Sequence, residues 1–224
     1  MRKSAFLFLF VVICGAELLA VGQDLRWLEF VAKPLIVLSL IGHYVVNESG
    51  RSSLFILALA FCCLGDIMLL FESVAEIFLV YGLQAFLIGH VFLIVSYRRH
   101  RFAEPVPGLA QTRRIRMAFP VILVGTGFVV VLYPSLGGLR IPVMLYALVL
   151  TLMVVSAIFR MELTNRKSFG LVLTGALLFM TSDLLLAINK FFSPIAHASL
   201  LIMCTYCVAQ VLIVQGILAH HRGD

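Results

Sequence analysis

Eight nearly continuous apolar runs, each long enough to cross a lipid bilayer, constrain the fold of this chain most strongly. A transmembrane helix needs about 20 mostly apolar residues. Because the runs do not alternate with polar residues, they predict helices and not the strands of a barrel. The predicted spans are Ser4–Gly22, Leu28–Val46, Ser53–Phe71, Glu76–Tyr97, Ala118–Pro134, Leu139–Phe159, Phe169–Ile188 and Ile195–Ala219.

The composition excludes a water-soluble fold. Of the 224 residues, 62% are hydrophobic and 12% are charged, whereas soluble domains are about 45–50% apolar and about 25% charged. So few charges cannot cover a soluble surface. We therefore predict an all-α polytopic membrane bundle that forms a single membrane-embedded domain over residues 1–224.

The apolar runs divide this domain into two halves, residues 1–97 and 118–224, which Arg98–Met117 joins as a polar, basic, mobile linker. The segment Leu59–Leu70 resembles Gly175–Leu186, and each carries one aspartate in the third helix of its half. The next helix carries Tyr81 and Gln84 in the first half, and Tyr206 and Gln210 in the second. These likenesses predict a parallel repeat of four plus four helices.

Lysine and arginine predict the orientation, because they accumulate on the cytoplasmic side. With the N-terminus inside, 13 of the 17 basic residues lie on the inner side. We therefore predict that both termini lie in the cytoplasm, and we expect the membrane to be a bacterial inner membrane. A basic face beside anionic lipid explains the net charge of +6 without nucleic acid. The four outer basic residues are Arg26, Lys33, Arg140 and Lys190.

Four charged side chains lie well inside predicted spans, away from the first and last two residues, where charge is costly and by default indicates a functional site. They are Glu17, Lys33, Asp66 and Asp183. With a rise of about 1.5 Å per residue, these four and Tyr146 fall in one layer on the outer side of the midplane. A shared layer predicts one buried polar site. Further polar candidates in the spans are His90, Tyr206 and Gln210.

Structural roles are the alternative for these residues. Lys33 and Glu17 are long enough to extend to the interface, and an Asp–Lys pair can simply hold helices together. Asp66 and Asp183 are too short to reach water in this way. We therefore predict the two aspartates as the centre of the site.

Five short motifs follow one another along the chain. They are Lys33-Pro34, Leu64-Gly65-Asp66, Gly89-His90, the Gly175-Ala176…Phe179…Ser182-Asp183 run and Tyr206…Gln210. In order and placement, over nearly the whole chain, they resemble the YhhN-like family, which includes the mammalian lysoplasmalogenases. The resemblance implies a membrane hydrolase that cleaves the vinyl ether bond of lysoplasmalogen. The products would be a fatty aldehyde and a glycerophospho-alcohol.

The chemistry of this bond suits a pair of carboxyl groups. A vinyl ether is labile to acid because its slow step is protonation of the β-carbon, which gives an oxocarbenium ion that water attacks. An enzyme therefore needs one protonated carboxylic acid and one carboxylate, and two neighbouring aspartates in a low-dielectric site favour that division. We predict Asp66 and Asp183 as this pair, acting without a metal or another cofactor.

The other candidates receive supporting roles around a lysophospholipid substrate. Lys33 could keep the second carboxylate ionised or bind the substrate phosphate. Hydroxyl and amide groups could orient water or the glycerol hydroxyl, and these are supplied by Tyr146, Tyr206 and Gln210. Glu17 and His90 complete the predicted site, and the oligomeric state stays open.

Two other functions are compatible with these residues. Buried acids and a repeat also suit a small membrane transporter or a lipid-binding protein. A metal hydrolase would need more ligands than His43 and His90, the two histidines that lie more than two residues from the ends of their spans. Cys204-x-x-Cys207 is a lone pair in an apolar helix. Aldehyde release separates an enzyme from a transporter, and a chelator separates the metal mechanism from the two-aspartate mechanism.

Overall fold

The computed structural model describes residues 2–102 and 108–220, and the regular secondary structure of these residues is entirely helical. Eight of the helices are long and apolar enough to cross a membrane, which confirms the predicted fold class. They are α1 (Arg2–Gly22), α2 (Arg26–Asn47), α3 (Ser53–Leu70), α4 (Ile77–Arg99), α5 (Gly108–Leu132), α6 (Arg140–Ile158), α7 (Arg166–Phe191) and α8 (Ala198–His220). Two short 3₁₀ turns, Tyr133–Ser135 and Gly137–Leu139, lie between α5 and α6.

The start of α5 departs most from the prediction. Residues 108–117 were predicted as linker, but they form the first turns of α5, so the linker prediction is wrong there. Hydropathy detects only the part of a helix that lies in lipid, and a polar helix can continue beyond the bilayer surface. The rest of the predicted linker includes Pro105 and Pro107, which lie outside the described residues.

The helix ends follow from local chemistry. Ser52 caps α3 by accepting a hydrogen bond from the backbone N–H of Phe55, and Asn165 caps α7 by accepting one from Ser168 at 2.7 Å. Three connections contain a residue with left-handed backbone, which lets the chain reverse within a few residues. These residues are Asp24, Glu162 and His197, with φ of 53°, 60° and 54°.

Consecutive helices pair most extensively, as α1 with α2, α3 with α4, and α7 with α8. The α7–α8 pair depends on Gly175, where an added Cβ would lie 2.9 Å from the backbone oxygen of Ala209. Small residues of this kind let helix backbones approach closely in a membrane. Beyond the sequential pairs, α8 also packs on α1 and α2, and α4 packs on α6. These contacts bring helices of the two predicted halves together.

A hydrogen-bond network around the buried Arg160 side chain connects helices at the arginine-rich end of the bundle. The Arg160 side chain has no exposed surface, and its Nη2 donates to Ser168 Oγ at 2.8 Å and to the His100 carbonyl at 3.3 Å. Ser168 in turn donates to the carbonyl of Gly216 at 2.6 Å. Burial lowers the pKa of Arg160 to about 10, so the guanidinium stays charged at neutral pH. The network joins the end of α4 and the α6–α7 turn to α8.

The two predicted Tyr–Gln pairs occupy different environments. Tyr81 and Gln84 lie on the exposed face of α4, whereas Tyr206 and Gln210 are buried in α8. The likeness of the halves therefore does not extend to these side chains. The parallel repeat and the division into halves stay predictions.

Candidate active site

The first buried carboxyl group is Asp66, in the last turn and a half of α3. Gly65 precedes it, and the absence of a side chain there lets the Phe86 ring pack against α3, because a Cβ would lie 2.5 Å from that ring. Asp66 is buried, and Tyr206 Oη donates to its Oδ2 at 2.5 Å. Gln210, one helical turn further along α8, donates to Tyr206 Oη at 3.0 Å. A chain of two hydrogen bonds thus runs from α8 to the α3 carboxyl group.

The second carboxyl group, Asp183 on α7, is held in the same way by another helix. Tyr146 on α6 donates from Oη to Asp183 Oδ2 at 2.5 Å. Tyr146 is buried, and Asp183 is partly exposed. Each aspartate therefore accepts a short hydrogen bond from a tyrosine on a different helix, and such bonds to a charged acceptor are the strong ones.

An aromatic cluster lies between the two tyrosine–aspartate pairs. We define it as Phe86, His90 and Phe179. The Phe179 centroid is 5.4 Å from that of Tyr206, and the His90 centroid is 4.7 Å from Phe179 and 5.6 Å from Tyr146. These contacts connect the two pairs, and the two carboxyl groups lie within electrostatic reach of one another.

His90 is the polar member of this cluster. It is fully buried, and neither ring nitrogen has a hydrogen-bond partner among the described residues. Buried polar groups in proteins are nearly always hydrogen-bonded. The two nitrogens of His90 are therefore the groups of the cluster that are available to a bound water or substrate oxygen.

A narrow cavity of about 50 Å³ opens beside the second pair. Asp183, Tyr146 and Thr151 are its polar lining residues, and the remaining lining is apolar and comes from α3 to α7. Such walls favour a short hydrocarbon segment over a polar group, because burying it removes apolar surface from water. The cavity places the Asp183 carboxyl group next to any chain that occupies it.

A larger, polar cleft of about 480 Å³ lies at one end of the bundle and shares Leu69 and Leu186 with the apolar cavity. It contains charges of both signs. Lys33 pairs with Glu29 at 3.1 Å, Lys190 pairs with Glu72, and Arg26 donates to Ser73 Oγ at 2.9 Å. The apolar cavity therefore adjoins a charged cleft, and the two compartments could accommodate the two ends of an amphiphilic molecule.

The structure brings most of the predicted site residues together. Asp66, Tyr206 and Gln210 form one hydrogen-bonded group, and Asp183 and Tyr146 form the other, with His90 between them. Their catalytic and supporting roles stay predictions.

Lys33 and Glu17 lie at the edge of this arrangement. Lys33 lines the cleft and bonds directly to Glu29, and its charge also acts on Asp66. Glu17 is fully buried, and neither of its carboxyl oxygens has a partner among the described residues. The charges that act on it are those of Lys33, Glu29 and Asp66. Glu17 therefore interacts electrostatically with the carboxyl group of Asp66.

Two features of the site were missed in the sequence. Glu29 is the partner of Lys33, and the spacing of four residues on one helix was the signal that could have shown it. Phe86 packs against Tyr206 and Phe179 and lines the cavity beside Asp183, and nothing distinguishes it from the other phenylalanines of the apolar runs.

Metal ligands do not cluster in the part of the chain that the structure describes, where no group of three or more His, Cys, Asp or Glu side chains could hold an ion. Cys204 is exposed and Cys207 is buried, so these two thiols point to different surroundings. The absence of a metal from the reaction stays a prediction.

Fold and site together define a class: an integral, multi-pass α-helical membrane protein with two tyrosine-bonded carboxyl groups inside its bundle. Residues 28–217 match the sequence profile of the YhhN family, and the chain belongs to that family. The resemblance seen in the sequence motifs is thereby confirmed.

Three relatives of the chain are named as lysoplasmalogenases. The chain is 30% identical to lysoplasmalogenase TMEM86B of Homo sapiens over 85% of this chain and 76% of the relative. It is 31% identical to lysoplasmalogenase TMEM86A of Bos taurus over 65% of this chain and 61% of the relative. For lysoplasmalogenase TMEM86A of Homo sapiens the identity is 27%, over 76% of this chain and 67% of the relative. No solved structure matches the chain at a significant level.

Proposed function

We propose that this protein is a membrane hydrolase that cleaves the vinyl ether bond of lysoplasmalogen-type lysophospholipids. Water is added across the bond, and the products are a fatty aldehyde and a glycerophospho-alcohol. The observation that carries the proposal is the pair of tyrosine-bonded aspartates, Asp66 and Asp183, on either side of one aromatic cluster. The names of the relatives support the choice of substrate.

The two carboxyl groups supply the chemistry of acid-catalysed hydrolysis. One carboxylic acid gives its proton to the β-carbon of the vinyl ether, and the oxocarbenium ion that forms is stabilised by the other carboxylate. That carboxylate then takes a proton from the water that adds to the cation, and the hemiacetal collapses to aldehyde and alcohol. Positioned acid–base groups of this kind typically contribute 10²–10⁴-fold to the rate. The logic parallels glycoside hydrolysis by two carboxyl groups.

The two compartments suit the two ends of the substrate. The first carbons of the alkenyl chain would enter the apolar cavity beside Asp183. The glycerophosphate end would lie in the polar cleft, where Arg26, Lys33 and Lys190 provide cations for the phosphate. The vinyl ether joins these two parts of the lipid, so it would lie where the compartments meet.

Aldehyde release by the purified protein tests the proposal. We expect turnover of a 1-alkenyl lysophospholipid and none of the matched 1-alkyl lysophospholipid, because the saturated ether cannot be protonated at carbon. A chelator should leave the rate unchanged. If no 1-alkenyl lipid yields aldehyde, the protein is not this hydrolase, and a transporter or lipid-binding role takes its place. Loss of turnover with chelator would replace the two-aspartate mechanism with a metal mechanism.

We further propose that both termini and the arginine-rich connection between α4 and α5 face the cytoplasm of a bacterial inner membrane. The excess of arginine at this end of the bundle supports that orientation. Reporter fusions after residue 224 and between residues 103 and 107 should both give a cytoplasmic signal. Signals from opposite sides would contradict the eight-span topology.

A further inference from the structure

Besides the apolar cavity and the polar cleft, a groove lies between the ends of α4 and α6, away from the candidate active site. Its walls are the apolar side chains of Ile94, Leu152, Val155 and Phe159, and its volume is about 380 Å³. None of its lining residues lines the apolar cavity or the polar cleft. Ile94 lies eight residues beyond Phe86 on α4, which is about 12 Å along the helix. We name it the arginine groove because Arg98 and Arg101 line its mouth.

The positive charge of this groove is unbalanced among the described residues. The described residues form two ion pairs, Lys33–Glu29 and Lys190–Glu72, and both of them lie in the polar cleft and not in this groove. Arg101 donates from Nη2 to the Ser156 carbonyl at 3.2 Å, and its Nε is buried without a hydrogen-bond partner in the described part of the chain. A buried donor without a partner is costly, and it is costlier when it is charged.

Neighbouring charges add to this cost. Burial and the like charges of Arg98 and Arg114 lower the pKa of Arg101. A negative group in the groove would oppose both effects, because it would provide a counter-charge for two guanidinium groups. Paired guanidinium groups match the oxygens of a phosphate especially well.

The apolar walls identify the kind of anion. They run from the two arginines along α4 and α6, and Leu152 has 47% of its side chain exposed on the outer face of the bundle. A free phosphate would gain nothing from such walls, whereas a phospholipid could place its phosphate on the arginines and an acyl chain along the groove. Basic pockets between transmembrane helices bind anionic lipid head groups in this way.

We propose that the arginine groove binds an anionic phospholipid of the surrounding leaflet, with its phosphate on Arg98 and Arg101. The lipid would join α4 to α6. These are the helices that carry His90 and Tyr146 into ring contact at 5.6 Å, so the bound lipid would stabilise the packing that forms the candidate active site. The proposal does not depend on which reaction that site catalyses.

Lipid binding by the full chain tests the inference. Protein purified in neutral detergent and stripped of lipid would be titrated with phosphatidylglycerol or with phosphatidylcholine of the same acyl chains, and bound lipid counted by native mass spectrometry. We expect preferential binding of phosphatidylglycerol and a rise in melting temperature with it. The Arg98→Gln/Arg101→Gln variant should bind phosphatidylglycerol about 10-fold more weakly, which corresponds to about 1.4 kcal/mol.

A matched control removes the same charge elsewhere. Arg113 and Arg116 are exposed on α5 outside the groove, so Arg113→Gln/Arg116→Gln should change affinity by no more than about twofold. Val155→Phe fills the apolar part without changing charge and should also weaken binding, which keeps the test decisive if the double arginine variant does not fold.

Three results would overturn the inference. The first is equal binding of the two lipids by the wild-type protein. The second is equal loss of affinity in the groove variant and the control variant. The third is displacement of the lipid by inorganic phosphate or glycerol 3-phosphate at concentrations equal to that of the lipid, which would assign the groove to a free phosphate.

Discussion

Replacing Asp183 or Asp66 by Asn is expected to lower the rate of aldehyde release about 10³-fold, which corresponds to about 4 kcal/mol of transition-state stabilisation. Asn keeps the shape of the side chain and can still accept the tyrosine hydrogen bond at 2.5 Å. It can neither donate a proton at useful acidity nor carry the negative charge that the oxocarbenium ion needs. The measurement is turnover of a 1-alkenyl lysophospholipid by purified variants with an unchanged melting temperature.

The double variant is expected to be scarcely slower than either single variant, because groups that act as one unit are not additive. Glu162→Gln is the matched control, since it removes a carboxyl group from the turn between α6 and α7 and should leave turnover unchanged. If Asp66→Asn or Asp183→Asn keeps more than about a tenth of the wild-type rate, that carboxyl group supplies less than about 1.4 kcal/mol. Its role would then be structural.

Hydropathy predicted the helices well because the bilayer imposes one length and one polarity on every span. The observed ends of α3, Ser53 and Leu70, differ from the predicted ends by no more than one residue. Where the bilayer no longer constrains the chain, the prediction failed. Residues 108–117 are helical although they are polar, because a helix outside lipid needs no apolar sequence.

The candidate site could be predicted only as a set of residues. A carboxyl group in an apolar run is conspicuous, and this is why Asp66 and Asp183 were found without a structure. Their hydrogen-bond partners depend on how four helices rotate and pack against each other. No spacing in the sequence reveals that Tyr206 faces α3 while Tyr146 faces α7.

Removing the hydroxyl group of either aspartate-bonded tyrosine is expected to have the second-largest effect on the rate. Tyr146→Phe and Tyr206→Phe are each expected to slow aldehyde release by about 10- to 100-fold, because a hydrogen bond to a charged group contributes about 1.5–3 kcal/mol. Phenylalanine keeps the ring contacts, such as the 5.4 Å contact between Tyr206 and Phe179, and removes only the donor. Turnover measured over a range of pH would report the change.

The pH profile distinguishes positioning of the carboxyl groups from packing. Without the tyrosine donor the ionised form of the bonded carboxyl group is less favoured. The acidic limb should therefore move to higher pH in the variant whose tyrosine bonds to the base, and the basic limb should move to higher pH in the variant whose tyrosine bonds to the acid. Tyr81→Phe is the matched control, because this hydroxyl belongs to an exposed side chain on α4, and its profile should stay in place. A slower variant in which neither limb moves would contradict the electrostatic role and leave the tyrosine as a packing residue. Gln210→Met should change the pH profile through the Tyr206–Asp66 pair alone, because Gln210 donates a hydrogen bond to Tyr206. Among the described residues, no corresponding donor bonds to Tyr146.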